Sequence, residues 1–218
     1  MDGVIIVSGG MDSVTLLHYL MLQGKALTAL SFNYGQRHSE ELTCAAWQCE
    51  KLNVPHKIID LGSIKQLLLG SSLTSPEIAT PEGHYSQENM KLTVVPNRNM
   101  ILLSLAIGYA ISLKVGNVYY GAHAGDHAIY PDCRPEFVHA MRRVASMCDW
   151  EPVDIVAPFQ RTDKIGILRE GLKLGVDYSH TITCYAGKEK ACGRCGSCSE
   201  RIEAFEKNNV KDPLEYEH

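Results

Sequence analysis

Two groups of residues in this chain have types and spacings that could do chemistry. The first is Ser8-Gly9-Gly10-Met11-Asp12-Ser13. It follows Val4-Ile5-Ile6-Val7, a β-branched run that reads as a fully buried strand. Asp12 and Ser13 are helix-starting residues, and Val14, Leu16, Leu17, Leu20 and Met21 give the apolar face behind them. A strand, a glycine turn and a helix start bring unpaired N–H groups and the positive end of a helix dipole to one point. Two glycines let the backbone approach a bulky anion without a Cβ in the way. The pattern predicts a phosphate cradle. It is neither G-x-x-x-x-G-K-[ST] nor G-x-G-x-x-G.

The second group is Cys184, Cys192, Cys195 and Cys198, a C-x7-C-x2-C-x2-C array. Four thiolates at this spacing can close a tetrahedron around Zn²⁺ and leave no open position, which predicts one structural zinc per chain. Gly193 and Gly196 allow tight turns whose amides point at sulfur, and Lys188, Lys190 and Arg194 stand near to offset the net negative charge. An iron–sulfur cluster is the rival reading, although the fourth cysteine and proline of the ferredoxin run are missing. Unligated thiols are the third. The clustering does not suit a secreted disulfide framework.

Positioning these groups requires a regular scaffold. Strands are expected at Ala26–Phe32, His56–Asp60, Val118–Gly121 and Asp154–Ala157. Helices are expected from Ser39 to about Leu52, from Met100 to Val115, from the block Tyr130–Glu136 to about Met147, and from a Thr162/Asp163 cap to Leu174. Strands alternating with helices imply an α/β fold with a doubly wound parallel sheet and ligands at the C-terminal strand ends. Pro96 makes Val95 extended, Asn97 is expected to cap the helix that follows, and that nearly all-apolar helix is expected to be buried. Residues 70–97 lack periodicity and read as a mobile active-site cover, with disorder as the other reading. The tail from Lys211 to His218 is polar and is expected to drape on the surface.

Three polar groupings fall where ligands would bind. Gln36-Arg37-His38 follows the second strand, and its bland reading is a solvated turn. Ala122-His123-Ala124-Gly125-Asp126-His127 follows the fourth, close to Tyr130, Asp132, Cys133 and Arg134. There the readings are substrate or Mg²⁺ contacts through Asp126 or Asp132, a second metal, or plain turn chemistry. Arg98 and Lys164 are cations in the first turns of helices, where the dipole disfavours them. An anionic partner, phosphate or carboxylate, would offset each one.

The chain has 218 residues, 45% hydrophobic and 21% charged, enough for one packed core with a small appendage. Its formal net charge of −4 argues against a broad duplex nucleic-acid footprint, so no direct nucleic-acid partner is expected. No apolar run approaches a membrane span, and a strand starting near Val4 leaves no room for a signal peptide. A cytoplasmic location is expected.

The loop Ser8–Ser13 resembles the S-G-G-x-D-S pyrophosphate loop of the PP-loop ATP pyrophosphatases. Further blocks are Tyr34-Gly35-Gln36-Arg37-His38, Val95-Pro96-x-Arg98-Asn99, Tyr130-Pro131-Asp132-Cys133-Arg134, Thr183-Cys184-Tyr185 and the cysteine array. Together they resemble the QueC family of the queuosine pathway, the 7-cyano-7-deazaguanine synthases, over nearly the whole length. Position 97 is Asn where Gly is common, and position 11 is Met where many members carry Gln.

The resemblance implies a Rossmann-like, adenine nucleotide alpha hydrolase-like domain over 1–180 and a zinc-binding segment over 181–218. It implies a carbon–nitrogen ligase that joins 7-carboxy-7-deazaguanine and ammonia, with ATP and Mg²⁺, into the nitrile, and a homodimer. Nucleotide contacts are expected at Val7, Ser8, Gly9, Gly10, Met11, Asp12, Ser13, Val14, Thr15, Leu16, Leu17 and Arg98. Catalytic roles fall to Asp12, Lys164, Asp126 and Asp132, and substrate contacts to Gln36, Arg37, His38, His123, Tyr130 and Arg134. Alternatives are a PP-loop enzyme acting on tRNA, a deazaguanine amide-forming enzyme, and a zinc-ribbon interaction module.

Overall fold

The computed structural model describes residues 1–84, 88–187 and 190–217. Five parallel strands form one sheet: β1 (Gly3–Ile6), β2 (Leu27–Asn33), β3 (His56–Asp60), β4 (Asn117–Tyr119) and β5 (Asp154–Val156). Their order is β3-β2-β1-β4-β5. The helices are α1 (Met11–Leu22), α2 (Glu40–Lys51), α3 (Arg98–Ser112), α4 (Pro135–Ala145), α5 (Lys164–Lys173) and α6 (Gly196–Lys207). The chain winds from β1 outward to β3, then returns to the other side of β1 for β4 and β5. The crevice at this reversal, above the carboxyl end of β1, is where such sheets hold ligands.

Strand side chains alternate between two cores. Val4, Leu30, Phe32, Val118 and Ile155 pack with α3 and α4. Ile5, Val7, Ala29 and Tyr119 pack with α1, α2, α5 and α6. Burial on both faces explains why β1 reads as a continuous apolar run.

The structure departs from the sequence expectations in five places. Helix α3 spans 98–112 and exposes Met100 and Leu105, because it lies as an outer layer with one face on the sheet. Asn97 does precede this helix, but its side chain makes no cap bond. It adopts a left-handed conformation, φ 58°, which asparagine tolerates better than most residues. The helix start is capped instead by Asp132, whose Oδ2 accepts from the Asn99 amide at 3.1 Å.

The segment 70–97 is no loose cover. Ser71, Ser72, Leu73, Thr74, Met90, Thr93 and Val95 are buried, and Glu88–Thr93 forms a 3-10 turn. Ser72 N donates to Leu92 O at 2.7 Å, closing the excursion on itself. Tyr85, Ser86 and Gln87 lie outside the described residues. Helix α6 was not anticipated. Its Ala204 and Phe205 enter the core beside α1 and α5, so the cysteine segment is joined to the main body.

The tail is fastened as well as draped. Arg201, 1% exposed, donates a two-pronged pair to Asp212 at 2.8 and 2.9 Å and further bonds to Tyr178 O, Thr181 O and Thr181 Oγ1. Glu217 N donates to Ala191 O at 2.8 Å. Truncating Arg201 would strand a buried carboxylate and two carbonyls together. Arg201→Ala is therefore expected to lose about 3–5 kcal/mol of unfolding free energy. The readout is a lower urea midpoint at unchanged slope; an unmoved midpoint would show that this buried fork holds nothing.

Candidate active site

The loop after β1 is shaped by its own hydroxyls. Ser8 N donates to Ser13 Oγ at 3.1 Å, Gly10 N to Ser8 Oγ at 3.2 Å, and Ser13 Oγ to Gly10 O at 3.2 Å. Gly9 has φ +95°, and a Cβ there would lie 1.8 Å from Glu41 O, so only glycine fits. Gly10 occupies the N-cap of α1 with no side-chain cap bond, leaving the helix start available to an anion. The loop is held from the far side by Ile182 N, which donates to Gly9 O at 3.2 Å.

A pocket opens over this loop at the carboxyl ends of β1, β2 and β4. Its wall takes Val7, Ser8, Gly10, Asp12 and Ser13 from the first motif. Met11, Val14, Thr15, Leu16 and Leu17, expected as nucleotide contacts, are buried in the core instead. Helical periodicity turns them toward the sheet and α5. Thr15 Oγ1 bonds Met11 O at 2.8 Å and the Tyr178 hydroxyl at 2.7 Å. Gly9 shapes the turn without lining the pocket.

Behind the loop lies a charge cluster. Lys164 Nζ sits 2.6 Å from Asp12 Oδ2 and 3.2 Å from Glu200 Oε2. The carboxylate reading of Lys164 is therefore satisfied, and the lysine also lines the pocket. His123 Nε2 lies 3.6 Å from Asp12 Oδ2 and 3.5 Å from Asp126 Oδ1, while its Nδ1 accepts from Gly125 N at 3.1 Å.

Burial would raise the Asp12 carboxyl, but Lys164 and His123 outweigh it and hold the group far below the usual carboxylate range. Burial lowers His123, while Asp126 and Asp12 lift it to about 9. The Gly125 amide opposes them, because it needs a lone pair on Nδ1. When the ring is neutral, the tautomer with Nε2–H toward both carboxylates leaves Nδ1 free to accept from Gly125. Asp12 Oδ1 is buried with no hydrogen-bond partner. It is an oxygen suited to a hard cation.

The pocket wall also carries Arg98, Tyr34, His38, Glu41, Tyr130 and Tyr185. Arg98 Nη1 lies 3.4 Å from the Tyr34 hydroxyl, and Arg98 makes no ion pair among the described residues. Such a cation at a helix start attracts an anionic ligand. His38 is buried, Nε2 3.5 Å from Glu41 Oε2 and Nδ1 without a partner. Burial and Arg98 lower its pKa to about 4. Burial raises Glu41 to about 8.

Four of the expected catalytic and substrate residues do not line the pocket: His123, which sits in the charge cluster behind the loop, and Arg37, Arg134 and Asp132. Arg37 donates from Nη2 to Ser75 O and Ile78 O at 2.6 and 2.8 Å, pinning the 70–97 segment. Arg134 is exposed and donates to His127 O at 2.8 Å. Asp132 caps α3 and is absent from the pocket wall. Gln36 does line the pocket, but its amide braces the turn through Tyr34 N and Phe32 O.

Glu41 and Glu200 were missed. On sequence, Glu41 is an ordinary first-turn acid and Glu200 an ordinary helix surface residue. Tyr34, Thr183 and Tyr185 fell inside the resembling blocks but had no assigned role.

The four cysteines come together as predicted. Their sulfurs lie within 4.8 Å of one another, all buried, and Cys192 and Cys198 Sγ are 4.0 Å apart. A tetrahedron with about 2.3 Å zinc–sulfur bonds needs sulfurs roughly 3.8 Å apart, so the residues fit the ion. Cys184 Sγ accepts from Ala186 N and Cys192 N, and Cys192 Sγ from Arg194 N and Cys195 N. The expected counter-charges turn outward instead. Arg194 pairs with Glu82 at 2.9 Å and Lys190 with Glu215 at 2.8 Å, because the amides already face the sulfurs. Lys188 lies outside the described residues.

The family model described as "Queuosine biosynthesis protein QueC" matches residues 2–209. The chain is similar to the 7-cyano-7-deazaguanine synthase of Hahella chejuensis, 65% identical over 98% of this chain and 92% of that protein. It is 62% identical to that of Marinobacter nauticus over 98% and 96%. In fold it resembles NMN synthetase from Francisella tularensis, with TM-score 0.55, 17% identity, and 96% and 78% coverage.

The raised Glu41 gives the pocket a pH signature. The folded chain keeps this proton up to about 8, against a reference value of 4.5. Stability tied to Glu41 is thus full below 4.5 and is lost as pH rises through 8. Glu41→Gln removes that loss. Its unfolding free energy relative to the parent is expected to climb from about pH 5 to about pH 8 and level off above. A pH-independent difference in denaturation curves would contradict the assignment.

Proposed function

This chain belongs to the QueC family of queuosine biosynthesis proteins, and from that premise we propose that it converts 7-carboxy-7-deazaguanine and ammonia to 7-cyano-7-deazaguanine with ATP. The single observation that carries the reading is the uncapped, doubly glycine loop opening onto a pocket with Lys164 on one side and Arg98 on the other. That arrangement suits an organic acid meeting a nucleotide.

A carboxylate cannot lose its oxygen to ammonia directly. Its oxygen attacks the α-phosphorus of ATP, pyrophosphate departs, and an acyl adenylate forms. Ammonia adds to the acyl carbon, AMP leaves with the first carboxylate oxygen, and a proton is released. The amide oxygen then attacks the α-phosphorus of a second ATP, and a second pyrophosphate departs. Loss of AMP with that oxygen, and of the amide protons, leaves the nitrile. The residues supply fixed charge and donors where the phosphates gain charge.

The amides at the start of α1 and the Ser8 and Ser13 hydroxyls take the departing pyrophosphate. Lys164 donates one N–H to Asp12 Oδ2 and lies at ion-pair distance from Glu200, and its place on the pocket wall lets a further N–H meet a phosphate oxygen. Arg98 holds the acid or the α-phosphate, and Tyr130, Tyr185 and His38 shape the slot for the base. Asp12 Oδ1 and Asp126 would hold Mg²⁺, which shields phosphate charge when bound. Zinc on Cys184, Cys192, Cys195 and Cys198 would supply no chemistry beyond fastening the segment 181–218 to the body formed by 1–180.

We place the enzyme in the cytoplasm, where such thiols stay reduced. Among the described residues no helix is long and apolar enough to cross a membrane. We read it as a homodimer, and exposed Met147 and Trp150 are apolar surface of the kind a second copy would cover.

Protein incubated with 7-carboxy-7-deazaguanine, ammonia and MgATP is expected to yield the nitrile by mass spectrometry, with AMP and pyrophosphate. Lys164→Ala is expected to lower kcat by about 10²–10³. A product that stops at the amide, or nucleotide turnover independent of the acid, would refute the reading. Elemental analysis is expected to find one zinc per chain, and chelation to loosen the C-terminal segment to protease. Iron, or no metal, would refute that assignment.

A further inference from the structure

Helix α6 starts within the cysteine cluster. Cys195 is its N-cap and Cys198 lies in its first turn. Glu200, two residues on, turns away from the cluster toward the nucleotide loop, and its Oε2 lies 3.2 Å from Lys164 Nζ. The carboxylate is tightly enclosed: a Cβ on Gly125 would sit 2.6 Å from its Oε1.

The next residue, Arg201, is locked by its bonds to Asp212, Thr181 and Tyr178. The cysteines hold α6 at its start and Arg201 fixes its rotation. Glu200 therefore has one direction in which to point.

Lys164 needs this contact. It lies in the first turn of α5, at the dipole end that disfavours a cation. Asp12 alone would draw the ammonium down onto the loop. Glu200, reaching in from α6, shares the charge and leaves the ammonium between two carboxylates. Held this way, the ammonium stands at the wall of the pocket that Lys164 lines.

We propose that Glu200 is a positioning residue for Lys164, through which the four-cysteine segment sets the geometry of phosphate handling. The proposal deepens the reading above and rests on it for the role of Lys164. It makes the cysteine segment part of the active-site machinery as well as a clasp.

The test compares Glu200→Ala and Glu200→Gln as metal-loaded, full-length proteins. Glu200→Ala is expected to lose at least about tenfold in kcat while KM for ATP moves less than about threefold, since the ground-state amide cradle is intact. Glu200→Gln is expected to recover part of that rate, because it keeps a side-chain oxygen at the same reach beside Nζ while losing the charge.

A second readout needs no substrate. Acetylation of Lys164 by acetic anhydride, followed by mass spectrometry, is expected to speed up several-fold in Glu200→Ala. Labelling at Lys173, which pairs with Glu170 on the outer part of α5, is expected to stay unchanged. Parental kcat in Glu200→Ala, equal losses in both variants, or unchanged Lys164 labelling would each overturn the proposal. Faster labelling in a protein that makes no nitrile would uphold the positioning role and sink the assigned reaction instead.

Discussion

A buried ammonium with carboxylates on both sides joins distant parts of the chain. Asp12 comes from the loop after β1, Lys164 from the start of α5, and Glu200 from α6. Each charge would be costly in this enclosure without the others. The three elements must therefore arrive together, and the parallel sheet makes this possible by placing β4 beside β1 and β5 beside β4. His123 and Asp126, on the connection after β4, complete the ring of charge.

Around that cluster the pocket is divided by charge and by enclosure. The loop side offers backbone donors at a helix start. The rest of the wall offers Arg98 with no ion pair among the described residues, together with the low-pKa His38 and the high-pKa Glu41. A neutral His38 and a protonated Glu41 leave that wall without a competing negative charge near neutral pH. A dianionic or trianionic ligand can then sit between Lys164 and Arg98 without meeting an ionised carboxylate beside Arg98.

The C-terminal segment is more than an appendage. Ile182 holds the nucleotide loop through Gly9 O, Thr183, Tyr185 and Ser197 line the pocket, and α6 enters the core. The 70–97 segment meets it from the other side, through the Glu82–Arg194 pair and the bridge between Glu82 and Cys195. Loss of the cysteine cluster would thus be felt at the loop, the pocket wall and Lys164 together.

Local pattern was enough for much of this molecule. The β-branched run, the glycine pair and the helix start at Asp12 specify a strand, a turn and an anion-ready helix end within thirteen residues. The alternation of strands and helices specifies a parallel sheet, and the cysteine spacing specifies a cluster, because each depends only on neighbours in sequence. Tertiary packing decided which of the polar residues face the ligand. Arg37, Arg134 and Asp132 look like site residues yet bind backbone, since loop carbonyls and a helix start lay closer than the pocket. Glu41 and Glu200 look like surface acids yet reach the site, since the rotation of α2 and α6 is set by contacts remote in sequence. A residue's type and local spacing are written in the chain; the direction in which its side chain finally points depends on which distant elements pack against it.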